Sequence, residues 1–187
     1  MAGTGIITEL DTALMWVLHQ WTSCELFDAV MPFITKLGDS GLVWIVLALV
    51  MLARKSTRII GVTMAIALII GHLAGTVIIK NLLERPRPFV ADPTIELLIK
   101  APSEFSFPSG HSASSFAAAV SIAFYNSKGG AAALVLAFLI AFSRVYLMVH
   151  YPFDVLAGAL LGVFAALISK QITAAAFNKT KLKSNEK

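Results

Sequence analysis

Charged residues are scarce in this chain of 187 amino acids, at 14% of the total, whereas hydrophobic residues make up 57%. A soluble domain carries about 25% charged and roughly 45–50% apolar residues. The mean hydropathy of +0.79 agrees with that contrast. The composition therefore predicts an integral membrane protein, and the length predicts one compact domain.

Cysteine is almost absent as well. Cys24 is the only one, which excludes an intramolecular disulfide and leaves the redox compartment open. Lysine and arginine are missing from the first 20 positions, where Glu9 and Asp11 interrupt the apolar run, so we do not expect a secretory signal there. The net charge of +4 is too small to indicate a nucleic-acid partner.

Long apolar runs predict an all-α, polytopic bundle of about five to six transmembrane helices. Five spans are expected at 41–53 (lengthened by Ile34 and Leu37), 59–79, 109–125, 131–149 and 152–173. The stretches 6–21 and 25–37 mix charges and tryptophan with apolar residues, which is typical of helices lying in the membrane interface. The alternative is that one of them spans as a short, tilted helix.

These patterns predict a single membrane domain over residues 1–177, with interfacial helices in 1–37 and a polar loop at 81–107. Residues 178–187 form a short basic segment, predicted to be a disordered cytoplasmic tail. Basic residues in the 54–58 turn, at Lys128 and in the tail lie on one side of the alternating spans, which predicts that this side is cytoplasmic.

The opposite side then holds the 81–107 loop as an extracytoplasmic loop. It also holds basic residues that break the positive-inside rule, namely Lys80, Arg85, Arg87 and Arg144. An anionic ligand on that side would explain them.

Three clusters of chemically competent residues converge on this same side. The first pairs Lys80 with Arg87-Pro88, and the second is Pro108-Ser109-Gly110-His111. The third runs from Ser143-Arg144 through His150 to Asp154. Proline favours the first turn of a helix, and the backbone N–H groups of Ser109 and Gly110 at a helix start can bind an anion.

The chemistry of these residue types is narrow. Lys80, Arg87 and Arg144 can bind a phosphate and stabilise its transition state. His150 and Asp154 are four residues apart and would share a helix face, so the carboxylate could orient the imidazole for attack on phosphorus. His111 could protonate the leaving oxygen. We expect no metal and no cofactor, because carboxylates are few and the cations would repel a divalent ion.

Other polar residues are expected to have lesser roles. We assign His72 to helix packing, Glu84 and Arg85 to pairing or headgroup contacts without a catalytic role, and Asp92, Glu96 and Glu104 to a solvated loop face. The pairs Gly71/Gly75 and Gly158/Gly162 have the spacing of close helix contacts.

Together, the three motifs resemble the signature of the type-2 phosphatidic acid phosphatase and vanadium haloperoxidase superfamily, over residues 80–154 directly and to about residue 175 by hydrophobic pattern. The resemblance implies that His150 forms a phosphohistidine and that Asp154 orients it. It implies that His111 is the general acid, and that no metal is needed. The implied phosphate-binding groups are Lys80, Arg87, Arg144, Ser109 and the amide of Gly110.

The resemblance implies a lipid phosphatase of the cell membrane that acts on a lipid phosphate or diphosphate at the outer face. The short chain and outward site resemble bacterial undecaprenyl diphosphate phosphatases. The alternatives are a phosphatidylglycerophosphate or phosphatidate phosphatase, a lipid phosphotransferase using the same histidine, and a non-catalytic lipid-binding protein. The sequence does not predict an oligomeric state.

Overall fold

The computed structural model describes residues 5–185, with side chains as far as residue 177. In this part of the chain the secondary structure is helical and contains no strand, as predicted. The helices are α1 Ile6–Thr22, α2 Glu25–Leu37, α3 Leu42–Ala53, α4 Arg58–His72, α5 Lys80–Leu83, α6 Pro88–Ala91, α7 Gly110–Ala123, α8 Ser127–Tyr146 and α9 Pro152–Asn185.

Both N-terminal stretches are helices with nearly the predicted bounds. α1 packs against α8 and α9, and α2 packs against α8. Between α2 and α3 the chain bends by 42°, where Ser40 and Gly41 have positive φ values of 53° and 65°. The 12 residues of α3 extend only about 18 Å, so crossing a bilayer requires the end of α2 as well. This agrees with the predicted contribution of Ile34 and Leu37.

Three helical segments are long and apolar enough to span a membrane: Arg58–Ala91, Ser127–Tyr146 and Pro152–Phe177. The bent α2–α3 pair would be a fourth. The predicted third span is a helix of 14 residues, α7, about 21 Å long, and it lies at the centre of the bundle between α4, α8 and α9. Within the described residues, length and hydropathy thus support three or four of the five predicted spans.

The second predicted span contains a change of helix type. α4 passes through a π-helical segment, Leu73–Ile79, directly into α5. Wide π-helical turns often occur at functional sites, and this one lies between His72 and Lys80. The sequence predicted one uniform α-helix here, because apolar periodicity alone does not distinguish the two helix types.

Small residues bring α9 very close to α7. A Cβ atom added at Gly158 would lie 2.4 Å from the carbonyl oxygen of Ser109, and one at Gly162 would lie 2.4 Å from that of Ala113. The Gly158/Gly162 pair therefore does the packing that its spacing predicted. The contact fixes the start of α9 beside the start of α7.

The last helix continues to Asn185, so the backbone of 178–185 is helical and not the disordered tail that was predicted. Residues 186–187 and the side chains from 178 onward lie outside the described part.

Candidate active site

A cavity of about 780 Å³ opens where α5 and α8 end and α7 begins. Six of the eight predicted site residues line it: Lys80, Arg87, Gly110, His111, Arg144 and His150. The other two, Ser109 and Asp154, are completely buried. The structure thus brings the three sequence clusters together at one end of the bundle, although they span 75 positions in the chain, from 80 to 154.

His150 lies in the turn between α8 and α9, where Met148 has a positive φ of 53°. Pro152 then begins α9, so His150 is just outside the helix that carries Asp154. The expected shared helix face is therefore wrong in detail. The contact forms nevertheless, because the turn brings His150 Nδ1 to 3.4 Å from Asp154 Oδ2. The same oxygen accepts hydrogen bonds from the Tyr151 N–H at 3.0 Å and from Ser106 Oγ at 2.5 Å.

The protonation of His150 follows from its neighbours. Its Nε2 lies 3.0 Å from Arg87 Nη1, and because a guanidinium can only donate, Nε2 is the unprotonated nitrogen. Burial, followed by the charges of Arg87 and Arg144, lowers the pKa of His150 well below its usual range. A neutral imidazole with its proton on Nδ1 and a lone pair on Nε2 is the form that can attack phosphorus.

Arg87 is held rigidly. Its Nε donates to the carbonyl oxygen of Glu104 at 2.6 Å, and its Nη1 donates to that of Val149 at 2.8 Å. Arg144 is also buried and donates from Nη1 to Thr35 Oγ1 at 2.5 Å. Its Nε is buried without a hydrogen-bond partner in the described part of the chain. Buried polar groups are normally hydrogen-bonded, so this unpaired donor beside the cavity is an exception among the described residues.

Lys80 makes a contact that the sequence did not predict. Its Nζ lies 2.7 Å from Glu104 Oε2, although Glu104 had been assigned to a solvated loop face. The Glu104 side chain is 60% exposed, and its hydrogen bond from Lys80 lowers the pKa of its carboxyl. Glu104 is therefore solvent-exposed as predicted, but the loop that carries it also lines the cavity, which places its carboxylate beside Lys80. A phosphate bound by Lys80 would share the ammonium group with the Glu104 carboxylate.

The predictions for the start of α7 are confirmed only in part. Gly110 and His111 line the cavity, as predicted. Ser109, however, caps the helix: its Oγ accepts from the Ser112 N–H at 3.4 Å and from Ser112 Oγ at 3.0 Å. The Ser109 hydroxyl is thus turned toward its own helix. His111 Nε2 lies 3.0 Å from Asp39 Oδ1, a partner from the α2–α3 bend.

Arg85 is predicted to pair or to contact a headgroup, and the structure shows it paired, with the buried carboxylate of the site among its partners. Its Nη1 lies 2.6 Å from Asp154 Oδ1, and its Nη2 lies 2.7 Å from Asp11 Oδ2. Two signals in the sequence pointed to this pair. Arg85 is one of the basic residues that break the positive-inside rule in the predicted topology, and Asp11 is a carboxylate within an apolar helix.

The cavity continues from the cations along an apolar groove. Its walls include Ile45, Leu49 and Leu52 of α3, Leu68 and Ile69 of α4, and Leu73 at the start of the π-helical segment. His72 and Thr76 also line the cavity, and His72 is exposed, so it is not the packing residue that was expected. One continuous space therefore joins a cationic end with a neutral histidine to an apolar end.

Comparison with known proteins agrees with this architecture. The family model described as the PAP2 superfamily matches residues 56–177. An undecaprenyl-diphosphatase of Sulfolobus acidocaldarius is 34% identical over 160 residues, which cover 84% of this chain and 76% of that protein.

Two solved structures share the fold. Aquifex aeolicus LpxE has a TM-score of 0.76 and 27% identity, covering 87% of this chain and 95% of that one. A transmembrane PAP2 type phosphatidylglycerolphosphate phosphatase from Bacillus subtilis has a TM-score of 0.74 and 28% identity, covering 92% of this chain and 89% of that one. The family match contains all eight predicted site residues. By sequence, by fold and by the motifs gathered around one cavity, this chain belongs to the PAP2 superfamily, as a membrane lipid phosphatase.

Proposed function

We propose that the chain hydrolyses the terminal phosphate of a polyprenyl diphosphate, with undecaprenyl diphosphate as the leading substrate. Water and the lipid diphosphate would give inorganic phosphate and the lipid monophosphate. The observation that carries the proposal is the single cavity, whose cationic end suits a phosphate and whose apolar groove between α3 and α4 suits a long hydrocarbon tail. The undecaprenyl-diphosphatase relative supports this choice of substrate.

In the first step, Lys80, Arg87, Arg144 and the amide of Gly110 hold the terminal phosphoryl group. His150 Nε2 attacks its phosphorus, and the P–O bond to the lipid phosphate breaks. The leaving oxygen takes a proton from His111. Asp154 accepts the hydrogen bond from Nδ1–H and stabilises the positive charge that develops on the imidazole.

In the second step, a water molecule attacks the phosphohistidine while His111 accepts its proton. The P–N bond breaks, inorganic phosphate forms and His150 is restored. The three cations supply the charge stabilisation that a metal would otherwise provide, so the proposed reaction uses neither a metal nor a cofactor.

We further propose that the site faces outward from the cell membrane. The cavity runs from His150 to Leu52, so the site and the basic 54–58 turn lie at opposite ends of α3 and α4. Basic turns favour the cytoplasmic side. The site would then lie at the outer leaflet, within reach of the headgroup of a lipid that remains in the bilayer.

Phosphatidylglycerophosphate is a second candidate substrate, favoured by the likeness to the Bacillus subtilis enzyme. The cationic end of the cavity would accept any terminal phosphate, so a direct comparison must decide between the lipids.

The test is phosphate release by the purified protein in detergent from undecaprenyl diphosphate, phosphatidylglycerophosphate and phosphatidate. We expect the highest kcat/KM with undecaprenyl diphosphate and no release by His150→Ala. His19→Ala is the matched control, because the His19 ring contacts the carbonyl of Tyr146 outside the cavity, and it should retain activity. A faster rate with either glycerolipid would make that lipid the substrate. Undiminished release by His150→Ala would overturn the mechanism.

A further inference from the structure

Asp11 is a carboxylate that lies outside all three motifs. It is in the middle of α1, before residue 56, where the family match begins, and it is completely buried. A buried carboxylate is costly unless it is paired and hydrogen-bonded. Asp11 meets that condition, because Oδ2 accepts from Arg85 at 2.7 Å and Oδ1 accepts from the Phe153 N–H at 3.0 Å.

Both of these partners lead to Asp154. Arg85 donates from its other terminal nitrogen to Asp154 Oδ1 at 2.6 Å, and Phe153 is the residue just before Asp154 in the first turn of α9. The Arg85 guanidinium also lies over the ring of Tyr151, 4.0 Å from its centroid. Asp11 therefore makes two contacts, one to Arg85 and one to the Phe153 N–H, with groups that hold the His150–Asp154 pair. It does not line the cavity itself.

We propose that Asp11 is a positioning residue that acts through Arg85 on the His150–Asp154 pair. The inference rests on the proposed function, since it concerns the same phosphoryl transfer. It implies that α1 takes part in the reaction, although α1 carries none of the motif residues.

The charges explain why a second carboxylate is needed. Arg85 alone would neutralise Asp154, which would then stabilise a positive imidazole only weakly. With Asp11 present, the three groups carry a formal charge of −1, so Asp154 keeps the negative charge that it offers to His150. That charge matters most as the phosphohistidine forms, because the attack by Nε2 makes the ring positive.

The position of Asp154 depends on the same contacts. Arg85 fixes Oδ1, which leaves Oδ2 for Ser106, the Tyr151 N–H and His150. If Asp11 lost its charge, Arg85 would be free to shift toward Asp154 alone. The position of Asp154 Oδ2 relative to His150 Nδ1 would then be less well fixed. The effect should fall on the chemical step rather than on binding, since Lys80 and Arg144 hold the phosphate independently.

The test compares Asp11→Asn with Asp28→Asn in detergent. Asp28 is the matched control, because it is a carboxylate of α2 that accepts a hydrogen bond from Tyr146 Oη at 2.6 Å and thus also joins an N-terminal helix to the bundle. Steady-state kinetics with undecaprenyl diphosphate, the Ki of inorganic phosphate and the thermal midpoint are measured for each. We expect Asp11→Asn to lower kcat about tenfold, the change expected when a hydrogen bond to a charged group is weakened. KM and the Ki of inorganic phosphate should stay within about twofold, which corresponds to about 0.4 kcal/mol of binding free energy, because Lys80 and Arg144 are unchanged.

A double variant shows whether the effect passes through Arg85. If it does, adding Asp11→Asn to Arg85→Gln should cause no further fall in kcat. The inference is overturned if folded Asp11→Asn keeps the wild-type kcat, or if Asp28→Asn loses as much. It is also overturned if kcat, the affinity for inorganic phosphate and the thermal midpoint all fall together, because that pattern is expected of a residue that only holds α1 against the bundle. An inactive wild type would refute the proposed function and this inference with it, whereas an active wild type with an unchanged variant would refute the inference alone.

Discussion

Gly158→Ala should push apart the two helices, α7 and α9, that carry the two halves of the proposed active site. α7 presents Gly110 and His111, whereas the start of α9 holds Asp154 against His150. The two helices are joined directly by a hydrogen bond from the Ser109 N–H to the carbonyl of Asp154 at 3.0 Å. The methyl group added by Gly158→Ala would clash with the backbone of α7 next to this hydrogen bond.

The size of the clash can be worked out from the structure. The new Cβ would lie 2.4 Å from the Ser109 carbonyl oxygen and 3.1 Å from Ser112 Cβ. Atoms of the backbone cannot turn aside as a side chain can, so α7 and α9 must separate by about 1 Å to restore van der Waals contact. Overpacking of this kind costs about 1–3 kcal/mol. A misplacement of about 1 Å at the reacting groups can reduce the rate by about 100-fold.

Gly71→Ala provides the matched control. A Cβ at Gly71 would lie 4.0 Å from Ala165 Cβ, an ordinary contact in the same bundle. We expect Gly158→Ala to lower both the thermal midpoint and kcat, and Gly71→Ala to leave both near the wild-type values. Equal behaviour of the two variants, or a wild-type kcat for Gly158→Ala, would show that the joint between α7 and α9 does not set the geometry of the site.

Three further predictions follow from the contacts of the cavity. Asp39→Asn should lower kcat more than it changes KM, because Asp39 contacts the proposed proton donor His111. Asp92→Asn, on an exposed loop, is the control. An unchanged kcat in Asp39→Asn would contradict the role of Asp39. Glu104→Gln should lower the Ki for vanadate several-fold by freeing Lys80. Lys80 lowers the carboxyl pKa of Glu104, so this pair stabilises the wild type above the ordinary pKa of glutamate, about 4.3, and that contribution should fade as the pH falls below it. Glu104→Gln should lack this pH dependence of the thermal midpoint. If its thermal midpoint changes with pH in parallel with that of the wild type, the stabilising role of the Lys80–Glu104 pair is refuted. Vanadate should inhibit phosphate release and a chelator should not, whereas loss of activity to chelator with recovery on adding magnesium would indicate a different mechanism.

Much of the fold could be predicted because its signals are local. The bounds of α1 and α2 came out within one residue, since polar residues, Ser23 and Gly38 punctuate the apolar runs. The convergence of Lys80, His111 and His150 could also be predicted, because each motif sits at a span end and alternating spans bring those ends to the same side of the membrane.

Contacts that depend on how the helices are rotated could not be predicted. Asp11 and Arg85 are 74 positions apart, and no periodicity in either segment specifies that their side chains face each other. The same holds for Glu104, because an irregular loop has no repeating pattern that indicates where it folds. The motif predicts phosphate binding by Ser109, yet its hydroxyl accepts hydrogen bonds from Ser112 and its backbone N–H donates to the carbonyl oxygen of Asp154.

The N-terminal helices contact the site although they carry none of its motifs. The family match begins at residue 56, yet residues before it contact three parts of the site: Asp11 through Arg85 to Asp154, Thr35 to Arg144, and Asp39 to His111. Each of these partners is a hydrogen-bond acceptor for a charged or titratable group of the site. In the proposed mechanism the motifs supply the reacting groups, while Asp11, Thr35 and Asp39 help to orient these groups and to set their charge. A substitution of Asp11 in α1 or of Asp39 in the α2–α3 bend should thus alter kcat, although neither is a motif residue.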